Sequence, residues 1–184
     1  IAPKLSLLNP DVEKMKVALE FLKHTMGRAL ILFPSKEEMK QFKQDIQRAP
    51  EQTAMHFLYE GDEEISHLIS LFQNEEHSIL CAVTLWEGLD IPGPSLSNVM
   101  IWSLPFPPKD PVFTAKRSSS NSPFEEVDLP YMLLRLRQGI GRLIRSKEDK
   151  GIVVILGQEI HHNELVMQKV KEILPHGIEI RSSR

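Results

Sequence analysis

The sequence predicts an α/β fold in which a mainly parallel β-sheet is covered by helices on both faces. Five short runs are apolar at nearly every position, which is typical of strands buried on both faces. Segments with helical spacing of apolar residues alternate with these runs, and this order favours parallel strands joined by helices. The predicted strands span residues 29–33, 53–59, 79–83, 99–102 and 152–156.

Helix signals lie between the predicted strands. The Asn-Pro pair at residues 9–10 provides an N-cap and a first helical position, and a helix is predicted from there to a stop at Gly27. Ser35 and Glu38 form a capping box that opens a second helix. Asp62 is predicted to cap a third helix. The apolar positions of the first helix are Val12, Met15, Leu19, Leu22 and Met26.

The stretch from residue 105 to residue 130 is predicted to be an irregular excursion, because it is rich in proline and contains consecutive serines. Within it, residues 111–117 are expected to form a short helix and residues 118–123 a mobile loop. A longer helix is expected over about residues 130–145. Residues 178–184 are expected to form a last strand and a frayed end.

The composition is that of an ordinary globular protein, and 184 residues fit a single domain spanning residues 1–184. A formal net charge of −3 excludes a uniformly basic nucleic-acid coat, so any contact with nucleic acid must be local. Cys81 is the one cysteine and is interpreted as a small buried hydrophobe, which excludes a disulfide within the chain. The local basic cluster is Arg135, Arg137, Arg142, Arg145 and Lys147.

The sequence carries no signal for a membrane or a metal. Since no apolar run approaches ~18 residues and no signal-peptide pattern opens the chain, a soluble, cytoplasmic protein with no membrane partner is expected. The seven histidines show no metal-ligand spacing with a third partner, so no metal site is expected. Because the chain begins with Ile1 rather than Met, it is expected to be part of a larger protein.

Residues 138–145 read Gln-Gly-Ile-Gly-Arg-Leu-Ile-Arg and are the most informative stretch of the chain. On a helix, the amide of Gln138 and the guanidinium groups of Arg142 and Arg145 share one face at i, i+4 and i+7. Arg135 extends this polar stripe backwards along the helix. Such a face suits an anionic ligand.

The same helix has a second interpretation, as a solvated amphipathic helix whose arginines complement the helix dipole near its C-terminus. Gly139 and Gly141 each cost a helix interior about 0.5–1 kcal/mol relative to Ala. They therefore indicate either a fraying helix end or a close approach of the backbone to a neighbour. The apolar stripe on the opposite side is Leu133, Leu136, Ile140 and Leu143.

Polar residues follow two of the predicted strands, and functional residues of parallel sheets gather beyond the carboxyl ends of the strands. Glu87 and Asp90 are close enough behind the strand at 79–83 to hydrogen-bond a ribose or to pair with arginines. Metal binding or acid–base chemistry by these two carboxylates is less favoured, because no third ligand lies nearby. Ser35, after the first strand, provides a hydroxyl and free helix amides, which suit a phosphate but equally an ordinary N-cap.

Three motifs in order resemble the C-terminal half of DinG/XPD-type helicases. They are Trp-Glu-Gly-Leu-Asp-Ile-Pro-Gly at residues 86–93, Leu-Pro-Phe-Pro-Pro-Lys-Asp-Pro at residues 104–111, and the stretch at residues 138–145, followed by Asp149 and Gly151. The resemblance extends over about residues 30–156. It implies a RecA-like, P-loop NTPase-type motor domain that has no P-loop of its own, the second such domain of an ATP-dependent DNA helicase.

The resemblance also assigns roles to individual residues. Arg145 becomes the arginine finger, Arg142 a second contact to the γ-phosphate of ATP, and Gln138 a positioning group beside them. The residues placed near the nucleotide are Glu87, Gly88, Asp90 and Gly141. The residues placed on the single-stranded DNA track are Ser35, Lys36 and Thr84. Trp86 is expected either to stack on a base or, in the favoured interpretation, to fill the core.

The sequence lacks a GxxxxGK[ST] loop, an acidic DEAH-like box and a four-cysteine cluster. ATP and Mg²⁺ are therefore expected to be held mainly by a missing N-terminal RecA-like domain, which would be the partner of this chain together with single-stranded DNA. An iron–sulfur cluster could belong to that missing half and not to this chain. Two alternatives stay open: an RNA-directed helicase or translocase, and a non-catalytic α/β binding module. The second is suggested by Gly157 and Glu159, where the family commonly has Asp and Arg.

Overall fold

A computed structural model describes residues 10–49, 55–86, 97–142, 151–157 and 159–174. Within these residues, five parallel strands form one sheet in the order β2-β3-β1-β4-β5. The predicted α/β class with a parallel sheet is confirmed. The strands are β1 (Ala29–Leu32), β2 (His56–Tyr59), β3 (Ser78–Ala82), β4 (Asn98–Ile101) and β5 (Ile152–Ile155).

Helices cover both faces of this sheet. Ala18 and Leu22 of α1 and Phe42 of α2 pack on one face, against alternate residues of the strands such as Ile31 and Cys81. Helices α3, α5 and α7 pack on the other face, against the intervening strand residues. The helices are α1 (Pro10–His24), α2 (Lys36–Arg48), α3 (Ile65–Asn74), α4 (Pro111–Ser118), α5 (Leu129–Ile140), α6 (Glu159–His162) and α7 (Glu164–Ile173).

The stop predicted at Gly27 is confirmed, because Gly27 has a φ of +79° and a side chain there would meet the carbonyl oxygen of His77 at 2.6 Å. Helix α1 itself ends at His24, so Met26 lies beyond it and is 58% exposed. The prediction that Met26 belongs to the apolar face was wrong. The helical spacing was extended to Met26, which lies in the turn after the helix has ended.

Of the two predicted helix caps, Ser35 is confirmed and Asp62 is wrong, and the reciprocal bond of the predicted capping box is replaced by another contact of Glu38. Ser35 caps α2 and its Oγ accepts the Glu38 N–H at 3.2 Å, but the Glu38 carboxylate accepts the Ser103 hydroxyl at 2.7 Å. Asp62 does not cap α3, which begins after Glu64 with no side-chain cap. The Asp62 carboxylate lies 2.7 Å from Nζ of Lys43 on α2 instead. Asp62 therefore forms an ion pair with the neighbouring helix instead of the predicted cap of α3.

The stretch predicted as an irregular excursion is largely helical. Asp110 caps α4 by accepting the Phe113 N–H at 2.8 Å, and a π-helical segment, Phe124–Asp128, leads directly into α5. The Arg117 Nε donates to Asp128 at 2.8 Å, which ties α4 to the start of α5. The loop predicted at 118–123 is therefore short and anchored at both ends.

Helix α5 ends at Ile140, although its pattern predicted a helix to about residue 145. The Gly141 N–H donates to the Arg137 carbonyl at 3.0 Å and the Arg142 N–H to the Gly139 carbonyl at 3.2 Å, so the chain turns there. Leu133 of the predicted apolar stripe is only half-buried, and Leu143 lies outside the described residues. The buried face is Leu129, Met132, Leu136, Gly139 and Ile140. The residues predicted as a last strand, 178–184, also lie outside the described part.

Candidate nucleotide and nucleic-acid site

The candidate site lies at the carboxyl edge of the sheet, where the chain leaves β1, β3 and β4 side by side. The Phe33 N–H donates to the Ala82 carbonyl at 2.9 Å, and the Trp102 N–H donates to the Leu32 carbonyl at 3.0 Å. These bonds continue the sheet by one residue on both sides of β1. The segments that begin at Pro34, Val83 and Ser103 are therefore neighbours at one edge.

Strands β1 and β4 are adjacent, but the chain leaves them toward opposite faces of the sheet. Strand β1 continues into α2, which packs on the face that α1 covers. Strand β4 leads through α4 to α5 on the other face. In parallel sheets, ligands bind in the crevice at such a point.

Trp86 fills the core beneath this edge. It is 0% exposed, its Nε1 donates to the Phe33 carbonyl at 3.2 Å, and it packs against α5. A methyl group on Gly139 would lie 2.9 Å from Cε3 of Trp86 and 2.8 Å from Leu32 Cδ1. Trp86 therefore packs in the core rather than presenting its ring to a base. Gly139 allows the close approach, and Gly141 marks the helix end.

Arg135 lies over the rings of Trp86 and Tyr131. Its guanidinium carbon is 5.6 Å from the Trp86 ring centre and 5.7 Å from that of Tyr131, and Nη1 donates to the Tyr131 hydroxyl at 3.0 Å. Such a cation–π arrangement stabilises a half-buried arginine. Arg135, predicted as part of the ligand-facing stripe, thus contributes to the packing around Trp86.

Gln138 and Arg142 lie at the end of α5 and in the turn that follows it, and both side chains are half-buried. Oε1 of Gln138 is buried and has no hydrogen-bond partner among the described residues. Buried acceptors are nearly always satisfied, so this oxygen is a candidate to accept from a bound group. Gly141 is exposed. Predicted nucleotide-site residues outside the described part are Glu87, Gly88, Asp90 and Arg145.

The structure places Ser35 and Thr84 on adjacent strand ends. Ser35 is half-buried as the N-cap of α2, and its hydroxyl donates to no group among the described residues, while Lys36 is exposed in the first turn. Thr84 is exposed two residues after β3. Its backbone N–H donates to Glu60 Oε2 at 2.9 Å, and its hydroxyl donates to Glu60 Oε1.

Sequence reasoning missed Glu60, Ser103 and Lys14 at this edge. Glu60 is the first residue after β2, and that position beyond a predicted strand was the signal that could have found it. Ser103 likewise follows β4, and its hydroxyl accepts from Lys14 Nζ at 3.0 Å. Lys14 also lies 4.5 Å from the Trp102 ring centre, which joins α1 to this edge.

Among the residues that the structure describes, no group of three or more His, Cys, Asp or Glu side chains is arranged to hold a metal ion. No helix in the described ranges is long and apolar enough to cross a membrane. Cys81 is 0% exposed, and burial raises the pKa of its thiol. Its interpretation as a small hydrophobe is confirmed.

The parallel sheet with helices on both faces is a RecA-like fold, and comparison with known proteins identifies the family. The family model described as "Helicase C-terminal domain" matches residues 18–176. The chain therefore belongs to the helicase C-terminal domain family. The predicted resemblance to DinG/XPD-type helicases is confirmed by its relatives.

The relatives include the probable ATP-dependent helicase YpvA of Bacillus subtilis, 55% identical over 165 residues, with 89% of this chain and 25% of YpvA covered. The 3'-5' exonuclease DinG of Bacillus subtilis is 36% identical, with 75% of this chain and 16% of that protein covered. The ATP-dependent DNA helicase YoaA of Haemophilus influenzae is 32% identical, with 92% of this chain and 26% of YoaA covered. The chain thus spans about a quarter or less of the length of these relatives.

Solved structures support the fold. An XPD helicase superposes with a TM-score of 0.71 at 19% identity, covering 93% of this chain and 32% of the other. Yeast Dbp5 bound to RNA and ADP BeF3 superposes with a TM-score of 0.55 at 17% identity, covering 87% of this chain and 37% of the other. At these identities the likeness concerns the fold alone.

Proposed function

We propose that this chain is the second RecA-like motor domain of an ATP-dependent, DinG-like DNA helicase, in which it faces an N-terminal RecA-like domain across a cleft. The observation that carries the proposal is the placement of Gln138 and Arg142 at the end of α5. The family membership supports the same conclusion, and so does the naming of relatives as ATP-dependent helicases.

The nucleotide side of the proposal rests on charge. Hydrolysis of ATP develops negative charge on the γ-phosphate oxygens, and a guanidinium held beside them stabilises that charge without reorganising. Arg142 and Arg145 are proposed for this role, with Gln138 as the positioning group. Glu87, Gly88, Asp90 and Gly141 are proposed to line the nucleotide side of the cleft. The ligands of Mg²⁺ are proposed to come mainly from the facing domain.

The nucleic-acid side lies at the adjacent strand ends. Ser35 retains a hydroxyl donor at a helix N-terminus, Lys36 is an exposed cation in the same turn, and Thr84 lies beyond the next strand. A hydroxyl, a helix N-terminus and an ammonium group are suited to phosphate oxygens. We propose that single-stranded DNA contacts the domain there through its backbone.

Arg142→Ala in the full-length helicase tests the nucleotide side. Removal of one electrostatic donor to the transition state costs about 10²- to 10³-fold in kcat, so turnover stimulated by single-stranded DNA is expected to fall by that factor. Arg48→Ala is the control, because Arg48 is exposed in the last turn of α2, at the end of that helix away from the carboxyl edge of the sheet, and is expected to leave turnover near that of the unmodified protein. Equal rates for both variants would contradict the proposal. RNA stimulation stronger than DNA stimulation would favour the RNA-directed alternative.

A further inference from the structure

The carboxylate of Glu60 is bound by three donors at the end of β3. The backbone N–H groups of Val83 and Thr84 donate to Oε2 at 2.5 and 2.9 Å, and the Thr84 hydroxyl donates to Oε1. The Glu60 backbone is held separately, because its N–H donates to the Cys81 carbonyl at 2.9 Å. The side chain can therefore leave these donors by rotating about its own bonds, without a change in the sheet.

Two consecutive backbone N–H groups with a nearby hydroxyl are a typical donor set for an anion. Such groups are suited to a carboxylate and to a backbone phosphate alike, since each offers anionic oxygens to several donors. A threonine hydroxyl has one hydrogen, which Glu60 accepts in this structure. While Glu60 is bound, Thr84 cannot donate to a phosphate, and the carboxylate charge repels one.

We propose that Glu60 is an internal competitor of nucleic acid: its carboxylate occupies the donors of Val83 and Thr84 until a backbone phosphate displaces it. This inference rests on the proposed function, in which Thr84 lies on the single-stranded DNA track. Exchange of one anion for another lowers the net binding free energy gained per phosphate, because every hydrogen bond to a phosphate replaces an existing one to Glu60. Such weak net binding suits a surface that must release the nucleic acid at every step of translocation.

The test compares four forms of the full-length helicase: unmodified, Glu60→Gln, Thr84→Val and the double variant. Glu60→Gln removes the charge and keeps an oxygen that can accept from the backbone. The affinity for fluorescein-labelled oligothymidylate is measured by anisotropy. Glu60→Gln is expected to tighten binding by about three- to tenfold, the range of one charge-assisted hydrogen bond set against its neutral replacement. Thr84→Val is expected to weaken binding. In that background part of the gain from Glu60→Gln is expected to disappear, because the hydroxyl donor is lost while the two backbone donors remain.

Glu63→Gln is the matched control, because Glu63 is a neighbouring carboxylate whose partner is His67 at 2.9 Å and not Thr84. General charge repulsion would instead tighten binding equally in Glu60→Gln and Glu63→Gln, and Thr84→Val would not reduce either effect. That result would overturn the inference. If Thr84→Val weakens binding while Glu60→Gln does not tighten it, Glu60 is a permanent brace, and the inference fails although the proposed function stands. If Thr84→Val has no effect, the proposed track at Thr84 fails, and the inference fails with it.

Glu60→Asp provides a second route if Glu60→Gln does not fold, as judged by its thermal unfolding. The shorter carboxylate keeps the charge but cannot span both backbone donors and the hydroxyl. It is expected to tighten binding as well, by a smaller factor. Unchanged or weaker binding by a folded Glu60→Asp would again overturn the inference.

Discussion

The backbone of Gly139 lies directly against the ring of Trp86, and a methyl group at that position would be 2.9 Å from Cε3. This contact packs the last turn of α5 against the sheet. Gln138 belongs to that turn and lies at the candidate site. The indole cannot retreat, because it is 0% exposed and its Nε1 is bonded to the Phe33 carbonyl. Glycine is therefore required here by packing and not by backbone conformation.

Gly139→Ala is expected to destabilise the 184-residue chain by about 1–2 kcal/mol, since overpacking a core costs roughly 1–3 kcal/mol and the better helix propensity of alanine returns part of that. Urea unfolding followed by circular dichroism measures the change. Gly141→Ala is the control. A methyl group there would lie 3.3 Å from the Arg137 carbonyl oxygen and 3.4 Å from that of Gln138, and the unfolding free energy of this variant is expected to change by less than about 0.5 kcal/mol. A larger loss in Gly141→Ala than in Gly139→Ala would contradict this assignment.

Arg145→Ala in the full-length helicase is expected to lower kcat for ATP by about 10³- to 10⁵-fold, the range for arginine fingers, with ATP affinity nearly intact. In the proposed role, the guanidinium acts mainly on charge that develops in the transition state, so its loss would slow the chemical step rather than weaken ATP binding. ATP titrations and single-turnover hydrolysis at saturating single-stranded DNA separate the two quantities.

Arg145→Lys is expected to restore little of this turnover, because an ammonium group keeps the charge but not the planar fork. Arg48→Ala serves again as the exposed control. Near-normal turnover in a folded Arg145→Ala variant would contradict the proposed catalytic role of Arg145.

Cys81 is expected to make stability fall as the pH rises above the ordinary thiol value of about 8.5. Burial raises its pKa in the folded chain, so between pH 8.5 and 10 the unfolded chain releases a proton that the folded chain keeps. The unfolding free energy then decreases by up to about 1.4 kcal/mol per pH unit for this one group.

Urea unfolding of the unmodified chain and of Cys81→Ala across this pH range measures the difference in slope. The alanine variant is expected to show the smaller decrease. The pKa of Tyr59 is also raised by burial, but its effect begins only above pH 10 or so, where an ordinary tyrosine ionises. Identical slopes for the two proteins would mean that Cys81 is accessible to solvent in the folded chain.

The ion pair of Arg117 with Asp128 is expected to stabilise the folded excursion. Their side chains are 25% and 20% exposed, less than those of the surface pair Lys43 and Asp62 at 35% and 52%. A double-mutant cycle with alanine at both positions is expected to give a coupling energy of about 1 kcal/mol, near the upper end for such pairs. The same cycle on Lys43 and Asp62 is the control and is expected to give less. Equal or reversed couplings would count against an anchoring role for Arg117.

The sequence by itself determined the class of the fold and, to within one residue at each end, four of the five strands. The strand predicted over residues 53–59 begins only at His56. Apolar runs such as the one around Leu30 favour burial on both faces, because the side chains that point to each face are apolar, and Leu30 is fully buried. It also determined the capping of α2 by Ser35, because the bond to the Glu38 N–H is local. The ordered motifs indicated the helicase family for the same reason, since each is a continuous stretch of chain.

The tertiary structure alone decided which polar groups meet across strands. Glu60 and Thr84 are 24 residues apart and come together only because β2 and β3 are paired, so no local pattern could reveal their hydrogen bonds. The same holds for the end of α5, whose amphipathic pattern continues beyond Ile140 although the chain turns at Gly141. Local propensity sets what a segment can form. Long-range contacts set where it stops and which side chains it brings together.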